Sequence, residues 1–242
     1  MCEEHRFVFS RRNLLGVGAG VASAALMSGL IAPAYAQSGG DTPAAPNDIS
    51  PDEALQRLKD GNVRYAANNL NERDFSAGRA ARAQSQHPFA GILSCADSRV
   101  APELAFDQGP GELFVVRDAG NAVDTNGLAS IEFGVAVLGI PLLLVLGHSS
   151  CGAISATIDV IENGTELPGS LPALINHLKP GVERALAEKP ADPMKAATIE
   201  NVRYNVEQLK SESPIVSEAV ASGKVMVVGG VYELSTGKVE WL

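Results

Sequence analysis

The segment Leu93-Ser94-Cys95-Ala96-Asp97-Ser98-Arg99-Val100 sets a thiol, a carboxylate and a guanidinium on alternate positions, one side of an extended chain. A core strand has no use for such a trio, because a buried charge is costly unless it is paired and hydrogen-bonded. Further along, Leu146-Gly147-His148-Ser149-Ser150-Cys151-Gly152-Ala153 adds an imidazole and a second thiol three residues apart. Cys95, His148 and Cys151 together form a soft-to-borderline donor set suited to zinc. Three protein ligands leave a tetrahedral ion one open position, and zinc lowers the pKa of a water held there to about 7. Gly147 and Gly152 give the His-x-x-Cys turn room, and a helix starting after Cys151 favours its thiolate form. Two plainer readings stand beside this one. The two cysteines of an exported protein can pair as a disulfide. Asp97 can be a salt-bridge partner of Arg99 and nothing more, or an ionised acceptor that orients a hydroxide beside the metal.

For these residues to meet, they must lie at strand ends. Short apolar runs without polar alternation recur at 89–95, 113–117, 142–148 and 224–232, each suited to a strand buried on both faces. Helical patterns fall between and after them at 125–139, 151–162, 172–189 and 194–211. That order predicts an α/β fold with a mostly parallel central sheet flanked by helices. It has four parallel strands, and KVEWL adds a short antiparallel strand at the C-terminus. In open parallel sheets, sites form beyond the carboxyl ends of the strands, where Cys95 and His148 fall. Ahead of the sheet, Ser50-Pro51-Asp52-Glu53 supplies an N-cap, a proline at the first helical position and a glutamate three after the serine. A helix is expected from there to about Asn68, with Leu55, Leu58 and Val63 as its apolar face.

Of the 242 residues, the first 36 read as an address. Arg11-Arg12 precedes a small, apolar run from Gly16 to Ile31, shorter than the about 20 residues a spanning helix needs. Ala34-Tyr35-Ala36 offers a cleavage pattern, so residues 1–36 are expected to be a twin-arginine-type signal peptide rather than a stable membrane anchor. Export, to the periplasm, with a mature start at Gln37 is the expectation. Residues 37–50, QSGGDTPAAPNDIS, have linker chemistry, and 51–242 suffice for one domain. Cys2 and His5 leave with the signal, so the mature chain keeps Cys95, Cys151, His87, His148 and His177 of its 3 Cys and 4 His. A net charge of −9 without a basic patch argues against nucleic acid as a partner.

The two motifs CADSR (95–99) and HSSCG (148–152), with LFVVRDAGN between them and GGVYELSTGKV near the end, resemble the beta-class carbonic anhydrases over roughly residues 51–242. The resemblance implies reversible hydration of carbon dioxide to bicarbonate and a proton. It also implies one Zn2+ per subunit on Cys95, His148 and Cys151, with the Asp97–Arg99 pair gating the fourth position. In some members the aspartate occupies that position in an inactive form that the arginine reverses, which implies falling activity towards lower pH. Substrate contacts carry over to three positions. Gln86 matches an amide that reaches substrate across a dimer interface, Phe114 an apolar pocket wall, and Gly152 a backbone N–H donor. As a surface Gln and a core Phe, the first two also have ordinary structural readings. His87 is either a proton shuttle or a loop histidine. A homodimer or tetramer is implied, with the N-terminal helix packed on a partner subunit. Two positions depart from the pattern: Phe133 stands where the plant-type branch has Tyr, and Ile92 replaces the Trp of a bicarbonate-inhibited subgroup, although Arg117 of that neighbourhood is present. Hydrolysis of carbonyl sulfide or carbon disulfide on the same fold is the rival chemistry. A non-catalytic exported zinc module is the rival class, and the charged Asp97–Arg99 pair weighs against it.

Overall fold

The computed structural model describes residues 47–242. The expected signal peptide and residues 37–46 of the expected linker lie outside the described residues. Four parallel strands, β1 (Ala90–Ser94), β2 (Leu113–Arg117), β3 (Leu142–His148) and β4 (Met226–Tyr232), lie in the order β2-β1-β3-β4. β5 (Val239–Trp241) pairs antiparallel with β4 at the far edge. β1 and β3 are buried along their whole length, which is why AGILS and LLLVLGH carry no polar alternation. β1 leads outward to β2 on one side while β3 lies on its other side, so the chain direction across the sheet reverses between β1 and β3. Such a switch point opens a crevice beyond the carboxyl ends of its two strands.

Eight helices surround this sheet among the described residues: α1 (Pro51–Ala66), α2 (Arg79–Arg82), α3 (Pro102–Ala105), α4 (Thr125–Ala136), α5 (Gly152–Asn163), α6 (Leu171–Ala187), α7 (Pro193–Glu212) and α8 (Pro214–Ala221). On one face, Ala54 and Leu58 of α1 pack with Ile92, Leu142, Leu144 and Leu146. On the other, Leu93, Leu143 and Val145 pack against Ile131 of α4, Val202 and Leu209 of α7, and Val216 of α8. A third apolar group gathers Ile154 of α5, Leu178 and Val182 of α6 and Ala197 of α7 around Cys95 and Cys151. No helix of the described residues is long and apolar enough to cross a membrane.

Two local expectations need correction. Ser50 does cap α1, its Oγ accepting the Glu53 N–H at 3.1 Å, but Val63 is 69% exposed. The inward stripe runs through Ala54, Leu58, Gly61 and Asn62, which puts residue 63 on the far side of the helix. α8 was not expected at all. Pro214 is its first residue, and its N-cap, Ser213, accepts the Val216 N–H at 3.1 Å.

α1 and the segment after it are tied to the loop between α3 and β2 by ion pairs. Arg64 Nε lies 2.5 Å from Asp107 Oδ2, and Arg73 reaches both Asp107 and Glu112, at 3.3 and 3.1 Å. Arg57 also pairs with Glu112. Asp107 is almost wholly buried, and burial by itself raises its pKa; hydrogen bonds from Arg64, the Asn71 N–H and Arg73 outweigh that and hold it below its unfolded value of 3.8. A depressed folded pKa means that this carboxylate stabilises the fold above 3.8 and ceases to as the pH falls through the folded value. Asp107→Asn leaves Arg64 without its carboxylate and Arg73 with Glu112 alone, and the expected cost is about 3 kcal/mol at neutral pH. Urea unfolding as a function of pH checks it, since the gap between the two proteins is expected to close in the acid range where wild type protonates.

Candidate metal centre

β1 and β3 are neighbours with Ser94 opposite Leu146, so the residues that follow, Cys95 on one strand and His148 on the other, emerge together at the switch point. Gly147 is required there for packing: a Cβ would lie 2.6 Å from Val202 of α7. Gly152 meets nothing within 4 Å, and the turn's strained residue is instead Ser150, with φ 54°. That turn delivers Cys151 as the N-cap of α5.

The two sulfurs are 4.0 Å apart, about twice the length of a disulfide bond, and both cysteines are free. One ligand atom from each of Cys95, His148 and Cys151 lies within 4.8 Å of the others, and all three side chains are buried. His148 Nδ1 donates to the Ser149 carbonyl at 2.9 Å, which leaves Nε2 as a bare acceptor. That Nε2 is buried without any hydrogen-bond partner. A buried lone pair turned toward two thiols fits a thiophilic divalent cation, and the outward Nδ1–H···O=C bond is the arrangement that orients a ligating imidazole.

The charges of the trio are coupled. Cys95 is held at about 4, first by the hydrogen bond from Cys151 and against the penalty of burial, with His148 and the Gly120 N–H adding to the fall. Cys151 is pushed up by the Cys95 sulfur beside it and by burial, although the first N–H groups of α5, at Ala153 and Ile154, oppose this. The two sulfurs thus share one proton, which a cation would displace. Burial lowers the His148 pKa, but its contacts with Cys95, the Ser149 carbonyl and Asp97 raise it further.

Asp97 lies between this trio and solvent. Arg99 grips both carboxylate oxygens, Nε to Oδ1 at 2.9 Å and Nη2 to Oδ2 at 2.7 Å, while the Arg99 backbone N–H adds a bond of 2.9 Å to Oδ1. Arg99 also reaches the Ser150 carbonyl at 3.3 Å. These bonds, those from the Arg99 side chain foremost, hold the Asp97 carboxyl well below the usual carboxylate range. Its Oδ2 is 3.8 Å from His148 Nε2, so the carboxylate faces the trio while bound to the arginine.

The supporting contacts are long-range. Arg117, opposite Ser94 at the end of β2, donates to the carbonyls of Cys95, Asp97 and Val100 at 2.7 to 3.0 Å and so shapes the 95–100 loop. Ser149 Oγ donates to Glu233 at 3.0 Å and accepts the Leu234 N–H at 3.0 Å, which fixes the residue next to His148. Arg117 and Glu233 both stand in quoted motifs, LFVVRDAGN and GGVYELSTGKV, but the partner of Glu233 is identified only by the pairing of β3 with β4.

Gly152 lies at this centre, as the first residue of α5. Gln86 and Phe114 do not. Phe114 sits opposite Gly91, four residues or about 13 Å of strand before Cys95, with its ring 6.4 Å from that of Phe133. Gln86 is exposed ahead of β1 and lines a cavity of about 720 Å³ with His87, Phe75 and Arg73. His87 pairs there with Ser85 Oγ at 3.0 Å and makes no approach to the chain's own trio.

Residues 90–239 match the carbonic anhydrase family model. A carbonic anhydrase of Mycolicibacterium smegmatis is 38% identical over 194 residues, covering 79% of this chain and 93% of that protein. Among solved structures, the Coccomyxa beta-carbonic anhydrase in complex with acetazolamide is 32% identical, with a TM-score of 0.62 over 78% of this chain and 85% of its own. One of the tetrameric beta-carbonic anhydrases of Sordaria macrospora shares the fold at 24% identity and a TM-score of 0.61, covering 79% of this chain and 95% of its own. With its switch-point trio and the family match running from β1 into β5, this chain belongs to the beta-carbonic anhydrase family.

Proposed function

We propose that this protein catalyses the reversible hydration of carbon dioxide to bicarbonate and a proton, with zinc held by Cys95, His148 and Cys151. The observation that carries this reading is the buried, unpartnered His148 Nε2 beside two sulfurs, with an arginine-bound carboxylate 3.8 Å away. Zinc, when bound, supplies the Lewis acidity that makes water a nucleophile near neutral pH.

The chain's own residues do the rest. Asp97 stays ionised throughout the neutral range, so it only accepts hydrogen bonds; at the mouth of the trio it orients the attacking water by accepting a hydrogen bond from it. Arg99 holds both Asp97 oxygens and would thereby keep the carboxylate from binding a metal held by the trio. Release of that grip would let Asp97 close the site, which is the gating role.

Gln86 and Phe114 serve the site of a neighbouring subunit in this reading, because each is carried well away from its own chain's trio. A homodimer or an assembly of dimers follows, with the exposed outer face of α1, marked by Val63, available to the partner.

Three outcomes are expected. The purified protein binds one zinc per chain by elemental analysis, loses carbon dioxide hydration on chelation and regains it with zinc, and Cys151→Ser does not retain the metal. Asp97→Asn keeps its zinc but lowers kcat by about 10²-fold in stopped-flow assays, in the range that misplacing a reacting group costs; full activity would remove Asp97 from the mechanism. Gln86→Ala lowers kcat/KM about tenfold, the worth of one hydrogen bond, with zinc content unchanged. A monomer by light scattering with undiminished activity would exclude the shared site.

A further inference from the structure

Cys95 receives a hydrogen bond from outside the trio that leads to helix α7. The Gly120 N–H donates to Cys95 Sγ at 3.2 Å. Gly120 belongs to a 3-10 turn (Ala119–Asn121) after β2 and has φ +72°, where glycine is favoured; a Cβ there would stand 2.9 Å from Leu178 and 3.2 Å from Ala153. Its carbonyl accepts Asn201 Nδ2 at 2.9 Å. One helical turn on, Asn205 Oδ1 accepts the Val123 N–H at 3.0 Å, and Asn205 Nδ2 donates back to Asn201 O and Oδ1 at 2.8 and 3.2 Å.

Both asparagines are buried, 1% and 0% exposed, among apolar neighbours such as Ala197 and Val202. An amide is costly there unless its bonds are made, and shape alone would be served by leucine. The approach of α7 is arranged as well: at Gly181 of α6 a Cβ would lie 2.9 Å from the Asn201 Cα, so a side chain at 181 would push α7 off the loop.

We propose that Asn201, supported by Asn205, is a positioning residue that sets how strongly Cys95 donates to its metal. Asn201 holds residue 120 so that its N–H stays on the Cys95 sulfur. That hydrogen bond draws electron density from the thiolate that would otherwise go to the metal, and hydrogen bonds to sulfur and to other ligating atoms are recognised levers on a metal site. Asn201 itself touches neither metal nor substrate. The inference rests on Cys95 being a ligand.

Cobalt substitution tests it. The thiolate-to-cobalt charge-transfer band of the Co2+-loaded protein reports the energy of the sulfur electrons directly. In Asn201→Leu the band is expected at longer wavelength than in wild type, because the sulfur electrons are no longer drawn toward the Gly120 N–H. Thr198→Val is the control: Thr198 is equally buried on the same helix, but its hydroxyl bonds only to Met194 O at 2.9 Å, so its band should coincide with wild type. Asn201→Ser and Asn205→Leu carry the same test if leucine is not accommodated at 201, each with a shift in the same direction. Bands coincident with wild type in the folded, loaded variants overturn the inference. A wild-type protein with no thiolate band at all would instead overturn the metal centre itself.

Discussion

Two sulfurs 4.0 Å apart and a bare imidazole nitrogen, all shut away from water, cannot be left to themselves. In a dry site the second negative charge is repelled by the first, so one proton stays between Cys95 and Cys151. The lone pair of His148 Nε2 is buried without a hydrogen-bond partner. A divalent cation resolves both conditions at once, and the surrounding fold holds the three groups close enough for that to happen. This local electrostatic demand explains why the site is so heavily braced.

The bracing comes from every layer. The β1–β3 pairing sets Cys95 and His148 side by side, and its register leaves no freedom, since a slip of one residue would turn Cys95 to the opposite face. Arg117 shapes the loop after β1 through four hydrogen bonds to three carbonyls. The turn between β4 and β5 holds Ser149 through Glu233, and the N-terminus of α5 receives Cys151. No single element contains the site; the apolar packing of α5, α6 and α7 closes it from behind.

Asp97 shows how one pairing serves two ends. Bound to Arg99 it keeps its charge and its orientation, and its position near His148 leaves it within reach of the trio. The exposed guanidinium is the part of the pair that can move, with its side chain 53% accessible against 16% for the aspartate. Charge is thereby placed at the boundary of the buried trio without being enclosed, which avoids the penalty that a fully enclosed ion pair carries.

Residue types and spacing were sufficient for the ligand trio, the Asp97–Arg99 pair and the parallel strands, because thiols, imidazole and charges at the ends of apolar runs are chemically conspicuous. They were sufficient too for the cap at Ser50, which depends on neighbours along the chain. They misled at Val63, since an apolar residue does not declare which side of a helix faces inward. Asn201, Asn205 and Glu233 look like ordinary polar residues until α7 and β4 are folded against the metal loops. The separation of Gln86 and Phe114 from their own chain's trio is likewise set by strand direction. Sequence by itself determined which atoms could bind a metal, because that is a property of side chains; tertiary structure alone decided which of them share a pocket and which distant amides and carboxylates hold them there, because hydrogen bonds and packing act through space and carry no mark in the order of residues.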